Sequence, residues 1–310
     1  MVLTTANRRL KLDSVEATPV TEARATAGAD LDLLSTAELV ALMNGQDALV
    51  PAAVGGAGAE IADVVDEVAE RLRRGGRLVY AGAGTSGGIA QLDASECEAT
   101  FGTDPSQIVA VVAGANASSA REREAAEDDE TAGRDAIASL GVRAEDAVVV
   151  VSASGGTPYA LGAAGEAAAA GAFTACVVCV PESELAAMCE REILVVVGPE
   201  ILAGSTRLKA GTAQKLVLNT VSTVAMIRLG KTYAGLMVGV VAANVKLRER
   251  VRRIVAEATD ATPAEVDSAL TDADGDTKVA IVSLLAGVDA STARARLDDA
   301  GGNVREALQT

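Results

Sequence analysis

The chain of 310 residues contains no histidine. That absence excludes Ser-His-Asp and Cys-His nucleophilic sites and HExxH zinc sites. Proton transfer near neutral pH is left to Glu, Asp, Lys, Tyr or Cys. Tryptophan is also missing and aromatic residues make up only 2%, so a surface for stacking nucleobases is not expected. With a hydrophobic fraction of 49%, the core must be built from Ala, Val, Leu and Ile. Positive charge is short: 27 basic against 43 acidic residues give a net charge of −16. Such a chain repels phosphate backbones and anionic lipid, which argues against nucleic-acid and membrane partners. The N-terminal stretch MVLTTANRRLKLDS has no apolar signal run, and no segment of about 20 apolar residues occurs; a cytoplasmic protein is expected. The four cysteines, Cys97, Cys176, Cys179 and Cys189, are too few and scattered for a disulfide framework. Cys176 and Cys179 have metal-ligand spacing but fall in an apolar strand-like run, where alternation sends them to opposite faces. They read as buried, inert thiols.

Residues 1–35 are polar and read as an arm over the body. Ser35 with Glu38 forms a capping-box candidate before a short helix. Ile61, Val64, Val65, Val68 and Leu72 recur at helical spacing, and Arg74-Gly-Gly closes that helix. Strand-like runs follow at Arg77–Gly82, Ile108–Val112, Ala147–Ser152, Thr174–Val180 and Ile193–Val197. Helix-like segments separate them, notably Ser118–Leu140 and Tyr159–Ala170. Short β-branched runs between helices predict a doubly wound parallel α/β sheet buried on both faces. After Gly230 the pattern is helical throughout. A repeat lies there, with Leu270, Ala273, Gly275 and Ala280 recurring 27 positions later, which predicts two packed helical hairpins. Asp272, Asp274 and Asp276 suggest a calcium loop, but the sixth and twelfth positions are Thr277 and Ser283 rather than Gly and Glu. A helix-capping turn is expected instead. The predicted organisation is an arm and short helix over 1–50, the α/β domain over 51–240 and a small helical domain over 241–310.

Two strands end in glycine- and hydroxyl-rich loops, Gly82-Ala-Gly-Thr-Ser-Gly-Gly and Ser152-Ala-Ser-Gly-Gly-Thr-Pro. Each precedes a helix, so backbone amides and hydroxyls can converge on an anion. Thr85, Ser86, Ser152, Ser154 and Thr157 are the candidate phosphate ligands. Gly82, Gly84 and Gly87 also match a dinucleotide fingerprint, but no acidic residue follows Val112 to hold a ribose. A phosphomonoester suits two such loops better than a pyrophosphate. Past the first loop lies Leu92-Asp-Ala-Ser-Glu96-Cys; farther on come Glu122, Glu124, Glu127, Asp128, Asp129 and Glu130. Alone the second run reads as a solvated helix face. In a closed site, crowded carboxylates raise one another's pKa, so one can keep a proton while another stays ionised.

The run Gly198-Pro-Glu-Ile-Leu-Ala-Gly-Ser-Thr-Arg-Leu-Lys-Ala-Gly-Thr-Ala-Gln-Lys215 resembles the signature shared by N-acetylmuramic acid 6-phosphate etherases and the glucokinase regulatory protein. Ala83-Gly-Thr-Ser-Gly, Leu92-Asp-Ala-Ser-Glu96-Cys and Glu124-Ala-Ala-Glu127-Asp are similar to the etherase active-site segments. The likeness runs from about Thr21 to the C-terminus. It implies a sugar isomerase-type (SIS) domain followed by a small UBA-like helical domain, in a homodimer with its site near the subunit interface. It implies a lyase that converts N-acetylmuramic acid 6-phosphate to N-acetylglucosamine 6-phosphate and D-lactate without metal or cofactor. Carried over by motif, Glu96 is the acid at the ether oxygen, Glu127 the base at C2, and Ser205 and Lys209 line the pocket, Lys209 offsetting substrate charge. The chain departs from the family pattern at Gly88 and Gly156, where the etherases carry arginine, and at Ala25, Val180 and Gly239. Since glycine cannot replace a bidentate arginine, two alternatives stand beside the etherase: a lyase or isomerase for another sugar phosphate, and a non-catalytic sugar-phosphate regulator.

Overall fold

The computed structural model describes residues 20–25, 30–240 and 245–309; most of the expected N-terminal arm, residues 1–19 and 26–29, lies outside them. After a 3-10 turn (Leu31–Leu33) comes helix α1 (Thr36–Asp47), where Ser35 and Glu38 form the expected reciprocal capping box. Two helices follow, α2 (Val50–Gly56) and α3 (Gly58–Arg73). Ile61, Val64, Val65, Val68 and Leu72 all lie on the buried side of α3, as their spacing predicts.

Five parallel strands alternate with the next helices. They are β1 (Leu78–Gly82), β2 (Ile108–Val112), β3 (Ala147–Val151), β4 (Phe173–Val178) and β5 (Arg191–Leu194), in the order β2-β1-β3-β4-β5. Strands β1, β3 and β4 are buried along their whole length, which is why they read as continuous β-branched runs. Alternation divides the side chains between two layers. Leu78, Tyr80, Val149 and Cys179 pack with α3, α4 (Gly84–Phe101) and α9 (Lys209–Arg228). Val79, Val148, Val150 and Cys176 pack on the other face against α6 (Glu130–Ser139), α7 (Pro158–Ala169) and the short α8 (Glu184–Met188). The two cysteines do face opposite ways. Strand β5 ends earlier than its apolar run: beyond Leu194 one further bond, Val195 N–H to the Val178 carbonyl (2.8 Å), closes the ladder, because β4 itself stops there.

At the amino ends of β1 and β3, Arg77 grips the fully buried Asp146 through Nε and Nη2 at 2.6–3.3 Å. At the carboxyl ends, the chain leaves β1 for one side of the sheet and β3 for the other. Loops at such a switch point border the crevice where open α/β sheets bind ligands. Close packing fixes the α6–α7 pair: a Cβ at Gly133 would fall on the Tyr159 carbonyl, and one at Gly162 on the Glu130 carbonyl.

The structure corrects the reading in two places. The expected helix over Ser118–Leu140 is broken into α5 (Ala120–Ala125), a 3-10 turn (Ala126–Asp128) and α6, because Asp129 caps α6 by accepting from the Ala132 amide. The stretch after Gly230 is not wholly helical. Strands β6 (Thr232–Tyr233) and β7 (Leu236–Met237) form a hairpin across Ala234-Gly235. Helices α10 (Val245–Thr259), α11 (Pro263–Asp272), α12 (Thr277–Ala286), α13 (Ala290–Asp299) and α14 (Val304–Ala307) follow. These helices share a core of their own, including Val255, Ile281 and Leu297, to which the hairpin adds Tyr233, Leu236 and Met237. The repeat is a capped turn used twice. Gly275 and Gly302 amides close back on Leu270 and Leu297 carbonyls at 2.8 and 2.7 Å. Asp276 and Asn303 then cap the next helix of each pair. Among the described residues no acidic, Cys or His cluster could hold a metal.

Candidate functional site

The first loop follows β1. Gly84 opens α4 in the left-handed region at φ +51°, and Gly87 must pass close to the strand: a Cβ there would lie 2.6 Å from Val112 Cγ1 and 2.7 Å from the Gly82 carbonyl. Thr85 and Ser86 therefore sit in the first turn of α4, where amides lack helical partners and the helix dipole favours an anion. Ser86 Oγ donates to Gln214 Oε1 at 3.0 Å. Among the described residues the buried Gln214 amide nitrogen has no partner, a donor beside the loop that the sequence reading missed although Gln214 stands inside the signature. Helix α9 begins against this loop, since a Cβ on Gly211 would lie 3.4 Å from Thr85 Cγ2.

The second loop follows β3, the neighbour of β1. Ser152 is buried, 2.9 Å from Thr157 Oγ1, and accepts from the Gly155 amide at 3.1 Å. It shapes the loop from beneath. Ser154 is exposed and accepts from the Gly156 amide at 3.3 Å, so it and Thr157 are the hydroxyls nearer the surface.

Glu127 lies in the 3-10 turn, over the first loop: its Oε1 is 2.7 Å from where a Gly84 Cβ would be. Burial, then the neighbouring Asp128 and Glu124 carboxylates, raise its pKa. A raised carboxylate is a stronger base when ionised. The second expected acid, Glu96, is elsewhere. It is exposed on α4 in a cleft of about 330 Å³ with Leu92, Asp93, Lys215 and Asn219. Twelve residues of helix separate it from Gly84, which puts it about 18 Å along the axis from the first loop. One chain does not bring Glu96 and Glu127 together.

Behind Glu96 lies a buried polar network. Asp93 accepts from Tyr80 Oη (2.9 Å) and Ser222 Oγ (3.1 Å). Its pKa is raised by burial, against the pull of those donors and of Lys215.

The signature connects β5 to α9. Glu200, almost fully buried, caps α9 by accepting from the Lys209 and Ala210 amides at 3.1 and 2.9 Å. Lys209 is buried too, and its ammonium donates to Gln46 Oε1 of α1 at 2.9 Å. Its charge is thus directed at α1. Ser205 is half-buried in the turn before α9. Thr21 packs over this segment, its carbonyl accepting from the Gly204 amide at 3.1 Å. Of the departures from the family pattern, Gly88 and Gly156 open onto free space, whereas a Cβ at Gly239 would strike the Phe101 carbonyl.

Comparison with known proteins gives the family. The family model of the glucokinase regulatory protein N-terminal SIS domain matches residues 60–166. The N-acetylmuramic acid 6-phosphate etherase of Streptomyces avermitilis is 52% identical over 99% of this chain and 98% of its own length. That of Rubrobacter xylanophilus is 53% identical over 93% and 95%. The chain belongs to the N-acetylmuramic acid 6-phosphate etherase family. A phosphoheptose isomerase from Francisella tularensis shares the fold of the sheet domain, with a TM-score of 0.51 and 18% identity over 63% of this chain and 100% of its own. In this etherase-family chain the fold is the expected doubly wound sheet with a helical C-terminal region.

Proposed function

We propose that the chain is an N-acetylmuramic acid 6-phosphate etherase, a carbon–oxygen lyase that releases D-lactate and leaves N-acetylglucosamine 6-phosphate. The observation that carries the reading is the Glu127 carboxylate held over Gly84. A sugar anchored by its phosphate on the hydroxyls and amides of the two loops extends its carbons beneath that base. In the ring-opened sugar the C1 aldehyde acidifies the C2 proton. Glu127 removes it, the electron pair forms the C2–C3 double bond, and the C3–oxygen bond breaks. Glu96 gives its proton to the departing lactate oxygen. Water then adds, its hydroxyl to C3 and a proton to C2. The steps exchange protons and water only, with no redox change.

The separation of Glu96 from Glu127 supports a homodimer in which a second copy supplies the acid. Leu92 beside Glu96 and Ile227 on α9 are large apolar side chains about half exposed on those helices, as an interface would use them. In this reading residues 51–240 are the phosphosugar-binding domain and 241–310 the helical domain. Among the described residues no single helix is long and apolar enough to cross a membrane.

The test is deuterium uptake at C2 in heavy water. The parent enzyme should release lactate and exchange C2, and Glu127→Gln should lose both, by about 10²–10⁴ in rate. Glu96→Gln should slow lactate release while sparing some exchange. A parent that binds N-acetylmuramic acid 6-phosphate but neither exchanges C2 nor releases lactate would be a sensor, not a lyase.

A further inference from the structure

Among the described residues the cleft around Glu96 is lined by one cation, Lys215, on the adjacent helix α9. Lysine on an exposed helix face is ordinarily loose, but this one, itself exposed, is tied through Asn219 to the buried Asp93. In the orientation its neighbours require, the Asn219 carboxamide donates to Asp93 Oδ1 (3.1 Å) and to the Lys215 carbonyl (3.2 Å), and its oxygen accepts from the Lys215 ammonium (3.0 Å). Asp93 is in turn fixed by Tyr80 and Ser222. The chain from Tyr80 through Asp93 and Asn219 thus aims the ammonium, which has further protons to give.

We propose that Lys215 receives the carboxylate of the departing lactyl group and makes the reaction specific for an acidic ether, an assignment that rests on the etherase reading above. The carboxylate stands one carbon from the ether oxygen, so the group that protonates that oxygen has the carboxylate as its neighbour. Glu96 and Lys215 share one cleft, which matches that pairing. Charge requires it as well. A lactyl carboxylate entering beside Asp93 and Glu96 would meet only like charge without Lys215, and that repulsion opposes binding. Gly88 and Gly156, where the family places arginine, supply no cation, so the burden of recognising the anion falls on this lysine.

The experiment compares N-acetylmuramic acid 6-phosphate with its lactamide analogue, identical in shape but neutral at that position. Lys215→Met should lower kcat/KM about 10- to 100-fold on the acid and leave the amide within about twofold of the parent. Lys215→Gln gives the same comparison in a second variant that can still donate to Asn219, and Lys215→Arg should retain the preference for the acid. The rate on the amide reports folding, because a merely structural lysine would depress both substrates equally. Equal loss on both, or full activity of Lys215→Met on the acid, would overturn the assignment while leaving the etherase reading intact. A parent enzyme that cleaves neither ether overturns the etherase reading, and this assignment with it.

Discussion

Replacing Gly84 by alanine tests how the base is placed. Gly84 has φ +51°, where an L residue pays about 1–2 kcal/mol. The new Cβ would lie 2.7 Å from Glu127 Oε1, 3.2 Å from Oε2 and 3.3 Å from Cδ. Ordinary contact starts near 3.4 Å, so the carboxylate must retreat by about 0.7 Å. The tip of a glutamate can move that far without disturbing the backbone, so the fold should lose about 1–2 kcal/mol and no more. Catalysis is less forgiving, since a displacement of about 1 Å at a reacting group costs on the order of 10² in rate. Expected, then, is a 10- to 100-fold fall in C2 exchange with a small shift in the urea midpoint. Gly87→Ala is the control. Its Cβ meets Val112 Cγ1 and the Gly82 carbonyl, a packed strand that cannot yield, and overpacking of this kind costs about 1–3 kcal/mol before any effect on the base. If Gly84→Ala exchanges C2 at the parent rate, Glu127 does not act from the position described.

Arg77→Met leaves Asp146 buried without its guanidinium and should destabilise the fold by about 3 kcal/mol in urea titrations at neutral pH. Burial pushes Asp146 up, but the Arg77 side chain and the Arg77 and Arg143 amides outweigh it and hold its pKa below the ordinary value. Its stabilisation is therefore complete above about pH 4 and lost as pH falls through the folded value; the deficit of the variant should shrink on that side, and a deficit unchanged by acid would refute the pairing. Gly88→Arg extends into open space from within α4 and should stabilise the helix by about 0.5–1 kcal/mol and lower KM for the sugar phosphate. A gain in thermal stability with KM unchanged would show that position 88 does not reach the substrate.

The α/β sheet was legible because each strand is a short β-branched run between helices, and Ser35 with Glu38 announced its helix. The break at Glu127 was hidden, because Asp129 reads equally well as a helix-face charge and as a cap. The Ala234-Gly235 hairpin was missed for want of the long alternating strands that usually flag one. Both loops were visible as loops, yet their hydroxyls looked alike; burial alone separates Ser152, which braces the turn, from Ser154 and Thr157. Lys209 carries no local sign that its ammonium will meet Gln46, 163 positions away. Nor does Glu200 reveal that it caps α9. The distance between Glu96 and Gly84 could have been read from helix length, since both lie on one uninterrupted segment, whereas the Asp93–Asn219–Lys215 chain depends on how α4 and α9 are juxtaposed.

Gly133 and Gly162 lie on α6 and α7, outside both glycine-rich loops, yet they govern where Glu127, the proposed base, can be. Because these helices meet backbone to backbone at the two glycines, α6 cannot slide along α7 without driving atoms into a carbonyl. The turn bearing Glu127 leads directly into α6, so its register against the second loop is indexed mechanically, as a key is by its notches. Alterations there would harm activity without touching any group that meets the sugar.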